Sequence, residues 1–146
     1  MLKFCFIVFF SLAVFAEKSD LNRVLFSVGG TAWTSRDRAV YQSVLSEIFQ
    51  KKSLSQFSKD AENDFLLSRV SSKEAAVFDF AGEPVVVSEA SRKKLKEFNS
   101  DEVDREVALI RKAAAFIEIK ESQHKDAIRF NAWFDLLKRK YVVRLK

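Results

Sequence analysis

Apolar and polar positions alternate along this chain in two periods, one of two residues and one of three to four. Residues 24–28, V-L-F-S-V, are apolar and β-branched enough for a strand. Gly29-Gly30 reads as a turn, and Thr31-Ala32-Trp33 as a short antiparallel return. Thr34 or Ser35 then sits at a helix N-cap, and Thr34 with Asp37 three residues on has the form of a capping box. Beyond this point the period becomes helical. Val40, Tyr41, Val44, Leu45, Ile48 and Phe49 make one broad apolar face, which predicts a first helix over about 35–50. Residues 51–58 are polar and Ser-rich, a loop. Phe57, Ala61, Phe65, Leu66 and Val70 mark a second helix. Ser71-Ser72-Lys73-Glu74 reads as a restart, with Ser71 capping and Glu74 reaching back, followed by a short helix through Phe78 or Phe80.

Ala81-Gly82-Glu83-Pro84 breaks the chain, because Pro cannot continue a helix and disfavours helix in the residue before it. Residues 85–87 read as extended or as a loop packed on the core, and Ser88 as the cap of a short helix to about Phe98. Asn99-Ser100-Asp101-Glu102 is a strong helix start, with cap-forming residues followed by carboxylates at the positive end of the helix dipole. Val103, Val107, Ile110, Ala114 and Ile117 carry a long helix onward. The polar run 121–126 marks a joint, and Ala127, Phe130, Trp133, Phe134 and Leu137 give a last amphipathic helix. Residues 141–145 read as a strand. A lone strand leaves its backbone groups unpaired, so the simplest arrangement pairs this end with the first strand. The expected fold is mainly α: a multi-helix domain with a small β-pairing of the N-terminal (about 23–33) and C-terminal (about 141–145) strands.

Composition changes this picture mainly at the N-terminus. The first 16 residues hold one Lys, an unbroken apolar run and then Val14-Phe15-Ala16, with polar E-K-S-D following. This is the form of a signal peptide cleaved after Ala16, and the run falls short of the roughly 20 apolar residues of a permanent span. It predicts an exported chain, periplasmic, with residues 17–146 as a single domain and no integral membrane segment after cleavage. Cys5, the only cysteine, lies inside the leader, so the remainder has no thiol for disulfides, nucleophilic chemistry or metal ligation. Removing Lys3 leaves 24 basic against 20 acidic residues, a mild +4. The basic clusters 92–94 and 138–140 fall in predicted helices, where a solvated face or helix C-terminus explains them better than nucleic acid does.

V-G-G-T-A-W-T-S-R-D resembles the opening of the helical domain of SurA-type periplasmic chaperones, in the group of parvulin-type prolyl isomerases. The matching positions are Val28, Gly30, Trp33, Thr34 and Asp37, with Gly29 where the family carries Asn or Asp. The tail, from Trp133 through the basic run to Tyr141-Val142-Val143-Arg144-Leu145, is similar to the way family members end their helical core. The two matched ends cover about a fifth of the chain. The resemblance implies a chaperone core without the isomerase domain, for which the chain has no room. It also implies clients: unfolded outer-membrane protein segments rich in aromatics.

The candidate chemistry is sparse. Gly29-Gly30 lacks the spacing of a dinucleotide fingerprint and the Gly-Lys-Ser/Thr of a phosphate loop, so it reads as a bend that lets Trp33 fold back beneath the first helix. His124 is the only imidazole, too few for a metal site of three or four ligands, and no nucleophile elbow surrounds any Ser. No catalytic residue, metal or cofactor is expected. Aromatics are the surplus: outside the leader remain ten Phe besides two Trp and two Tyr. Phe49, Phe57, Phe78, Phe80 and Phe98 lie near predicted helix ends or loops and are the candidate client-binding residues; Gly29, Gly30, Trp33, Thr34, Asp37 and Trp133 are structural. The expected function is binding of unfolded or partly folded envelope proteins through an apolar groove with a mildly basic rim. The alternative is a structural partner of one fixed envelope protein, or a homodimer, using the same fold.

Overall fold

The bend at Gly29-Gly30 has φ of +55° and +85°, the left-handed region that glycine enters without a Cβ penalty. It turns strand β1 (Val24–Val28) into β2 (Thr31–Thr34), which pair antiparallel with Val28 opposite Thr31 and Phe26 opposite Trp33, and an irregularity between Val24 and Phe26. These observations come from a computed structural model, which describes residues 22–144. The expected leader, its cleavage point at Ala16 and Leu145 lie outside them. Thr34 ends β2 and caps α1 (Ser35–Glu47) through the expected capping box: Asp37 N–H donates to Thr34 Oγ1 at 3.2 Å, and Thr34 N–H to Asp37 Oδ2 at 2.8 Å. The helix closes at Glu47, three residues short of the expected end.

Helix α2 (Ala61–Val77) starts at the cap Asp60 and runs without interruption. The expected restart at Ser71 is therefore incorrect. Ser71 is fully buried, Ser72 donates its hydroxyl to the Arg69 carbonyl at 3.1 Å, and Glu74 accepts from Lys140 and Tyr141 instead of reaching back. The Ser72 hydroxyl bonds back to the preceding turn, while the Ser71 hydroxyl is enclosed without a partner, so packing of the apolar neighbours carries the helix through the pair. The helix ends with Asp79 at φ +55°, where Phe80 N–H bonds to the Ala75 carbonyl at 2.9 Å and Asp79 N–H to that of Ala76 at 3.2 Å. This Schellman arrangement reverses the chain and sends the next segment back across the molecule.

That segment is irregular, with neither helix nor strand, from Phe80 to the cap Ser88, and α3 (Glu89–Lys94) follows, shorter than expected because Leu95 turns into the core. Helix α4 (Ser100–Gln123) begins with a capping box between Asn99 and Glu102. Helix α5 (Ala127–Tyr141) is capped by Asp126 and leads directly into β3 (Val142–Val143). Helix α2 packs along α4, with α1 against both and α5 against α2. Between them lie Phe26, Tyr41, Val44, Phe65, Val70, Ile110, Ile117, Phe130 and Phe134, all essentially without solvent exposure.

The two ends of the chain do pair. Strand β3 joins β1 antiparallel, with Val142 opposite Val28 and Val143 opposite Ser27, giving the sheet order β2-β1-β3. Tyr141 belongs to the helix rather than the strand, although its carbonyl accepts from Gly29 N–H at 3.0 Å. The fold is mainly α with a small antiparallel β element, and no described helix is long and apolar enough to cross a membrane.

Candidate apolar cleft

One face of α4 repeats at helical spacing as Arg111, Ala114, Ala115, Glu118 and Ile119. Its centre is two alanines, so the helix presents a low floor where larger side chains would have filled the space. The loop after α1 raises one wall with Phe49, Lys51 and Leu54, and the irregular segment after α2 raises the other with Phe80, Gly82, Glu83 and Val85. The resulting cleft has a volume of about 800 Å³. Its lining side chains carry no hydroxyl, thiol or imidazole; they offer apolar contact, carboxylates, one ammonium and one guanidinium.

Both walls are tied down. Asp64, buried on α2, accepts from Leu54 N–H at 2.9 Å, Ser58 hydroxyl at 2.5 Å and Tyr41 hydroxyl at 2.5 Å. Burial beside this carboxylate pushes the Tyr41 phenol far above its ordinary range, so it stays a donor. Ser55 donates to Glu121 at 2.5 Å and links the same loop to α4. The opposite wall is held by close approach: Gly82 has φ +72°, and a Cβ there would lie 2.6 Å from the Arg111 carbonyl oxygen. The rim departs from the expected mildly basic one, because Glu83, Glu118 and Glu121 outnumber Lys51 and Arg111.

Of the five candidate phenylalanines, Phe49 and Phe80 meet in this cleft. Phe78 is 65% exposed and stacks on Phe116 at 6.3 Å, outside the cleft lining. Phe57 packs on the buried Phe130 at 5.2 Å, and Phe98 lies half-buried with the Arg36 guanidinium 5.7 Å above its ring. Leu54, Val85, Ala115 and Ile119 complete the cleft and were not singled out by periodicity; Ala114 was, but as part of a core face. The run Ala113-Ala114-Ala115 is the signal that could have found the floor; the walls come from irregular segments that have no period.

The structural residues sit elsewhere. Trp33, opposite Phe26, has the Arg69 guanidinium 4.3 Å from its ring centroid, so the ring meets α2. Arg69 is itself fully buried and donates to both oxygens of buried Glu106 at 2.7 and 2.6 Å. Burial pushes the Glu106 carboxyl up, and Arg69 pulls it partly back. Trp133 packs on Phe130 at 5.1 Å and Phe116 at 6.1 Å, and His124, the C-cap of α4, stacks on it at 6.3 Å. Among the described residues no group of three or more His, Cys, Asp and Glu side chains converges as metal ligands would. No family model, curated protein or solved structure matches this chain.

Proposed function

We propose that this chain is an exported, chaperone-like protein that binds unfolded or partly folded envelope proteins by reversible burial of their apolar segments, with no cofactor and no isomerase activity. The observation that carries this reading is the cleft of about 800 Å³, where Phe49, Leu54, Phe80, Val85 and Ile119 surround a floor of Ala114 and Ala115. An open cleft in which apolar side chains stand among charged ones, with tied walls, offers apolar contact to segments that have no fixed shape of their own. The signal-like leader supports an envelope location, and the SurA-type opening and tail support the client class. The test is aggregation of several unrelated unfolded proteins at near-equal molar ratio. Suppression of most of them is expected, and no effect on any rejects the reading.

A second reading, a fixed partner or a homodimer, is favoured by a separate feature. Ile128 and Leu136 on α5 are 84% and 64% exposed, and with Ala132 between them they form an outer stripe at four-residue spacing. Light scattering after gel filtration checks it: a dimer that Leu136→Lys dissociates supports this reading, and a monomer at all concentrations removes the homodimer.

A further inference from the structure

Within the cleft, Arg111 differs from the half-buried Arg36 and Arg92, which are paired with Glu102 and Asp104. Among the described residues Arg111 makes no ion pair, and its Nε is enclosed without an acceptor. Arg111 is half-buried and lines the cleft, so its guanidinium lies within reach of whatever occupies it. The backbone they spring from is pinned, since Gly82 presses on the Arg111 carbonyl. We propose that Arg111 is the hook of the cleft, donating to a main-chain carbonyl of an extended bound segment whose apolar side chains pack between Phe49 and Phe80. This rests on the binding function proposed above and adds the chemistry of what is recognised.

The acceptor is a neutral one on grounds of charge. Glu83, Glu118 and Glu121 share the cleft and, with only Lys51 to balance them, oppose a carboxylate or phosphate. An amide carbonyl meets no such repulsion, and a hydrogen bond made beside apolar walls is stronger than one in water. The floor from Arg111 to Glu121 runs about 15 Å along the helix. That is the length of about four or five extended residues. Recognition of main chain rather than of particular side chains is also what a binder of unrelated unfolded sequences requires.

The experiment uses residues 17–146 and a fluorescent peptide of alternating Phe and Ser with an amidated C-terminus, followed by anisotropy. Arg111→Met keeps the apolar stem and is expected to weaken binding roughly tenfold, with Arg111→Lys recovering part of the loss. Ala115→Trp fills the floor and is expected to abolish binding. Unchanged affinity in Arg111→Met, alongside loss in Ala115→Trp, overturns the hook and leaves the cleft reading standing. Full binding by Ala115→Trp overturns both. A peptide with a free C-terminal carboxylate should bind no better; tighter binding that Arg111→Met removes makes the site an anion site and overturns the proposal. Should Arg111→Met fail to fold, the unaltered protein is titrated with peptides bearing a single amide-to-ester replacement. One position is expected to bind more weakly, because an ester carbonyl is the poorer acceptor, and equal affinity at every position overturns the hook.

Discussion

Arg69 and Glu106 show how much of this fold rests on single side chains. The pair is buried, bidentate at one guanidinium nitrogen, and roofed by the rings of Trp33 at 4.3 Å and Phe65 at 4.7 Å. Removing one member of such a pair strands a charge in a medium that cannot solvate it. Glu106→Gln is expected to lower stability by about 3–5 kcal/mol, read from the urea midpoint. Replacing both by apolar residues, Arg69→Met with Glu106→Leu, should recover much of the loss, because the desolvation cost goes with the charges. A double variant as unstable as the single one would show that the aromatic roof, rather than the charge, sets the requirement. The glycines give a second contrast at this scale. Gly30 has φ +85° with nothing within 4 Å of a built Cβ, whereas Gly82 combines φ +72° with a backbone oxygen at 2.6 Å. Gly30→Ala should cost only the backbone strain, about 1 kcal/mol. Gly82→Ala must also push the cleft wall off α4, so a larger loss is expected, together with faster hydrogen exchange in residues 80–88; equal losses would contradict the close approach.

Helix ends carry the legible information at the scale of the element. Thr34 with Asp37 could be read directly, because capping chemistry acts over three residues and needs no distant partner. The Ser71 restart failed for the complementary reason: a Ser-Ser-Lys-Glu run caps a helix only where the preceding turn has ended. Here Phe65, Leu66 and Val70 held that turn in the core. Helix α4 adds a tie that local reading does not contain. Arg36 of α1 donates to Glu102 at 2.8 and 3.0 Å and holds its carboxyl below the usual carboxylate range, with burial working against it. The sign of the pH effect follows. The unfolded carboxylate titrates near pH 4.3, the folded one lower, so the contribution is complete above about pH 4.3 and is lost as pH falls through the folded value. Glu102→Gln keeps the capping geometry and should flatten the acid limb of the stability curve below that pH. At neutral pH it should cost under about 1 kcal/mol, since the Arg36 side chain is 40% exposed.

The whole molecule is closed by two devices at opposite ends of α5. At its C-terminal end Tyr141 and Lys140 bond to Glu74 of α2, and β3 takes its place beside β1. At the other end Phe130 joins Phe57 and Trp133, and Trp133 joins Phe116, so that α5 is stapled both to the loop that walls the cleft and to α4. Phe130→Ala, at a position 1% exposed, is expected to cost about 3–5 kcal/mol in chemical denaturation. Phe78→Ala, at 65% exposure, should cost under about 1 kcal/mol, because most of that ring stays in water in both states. A large loss at Phe78 would mean its stacking on Phe116 is part of the core.

Local chemistry was readable from the chain alone. The Gly-Gly bend, the Thr34 and Ser88 caps, the apolar faces of α1, α4 and α5, and the need for the last strand to find the first all follow from interactions within a few residues or from the cost of an unpaired backbone. The tertiary structure alone decided which ends stop, which charges are buried and where the cleft lies. Periodicity reports which face of an element is apolar. It does not report which loop crosses that face, and the cleft exists because two aperiodic segments stand beside an alanine floor without covering it.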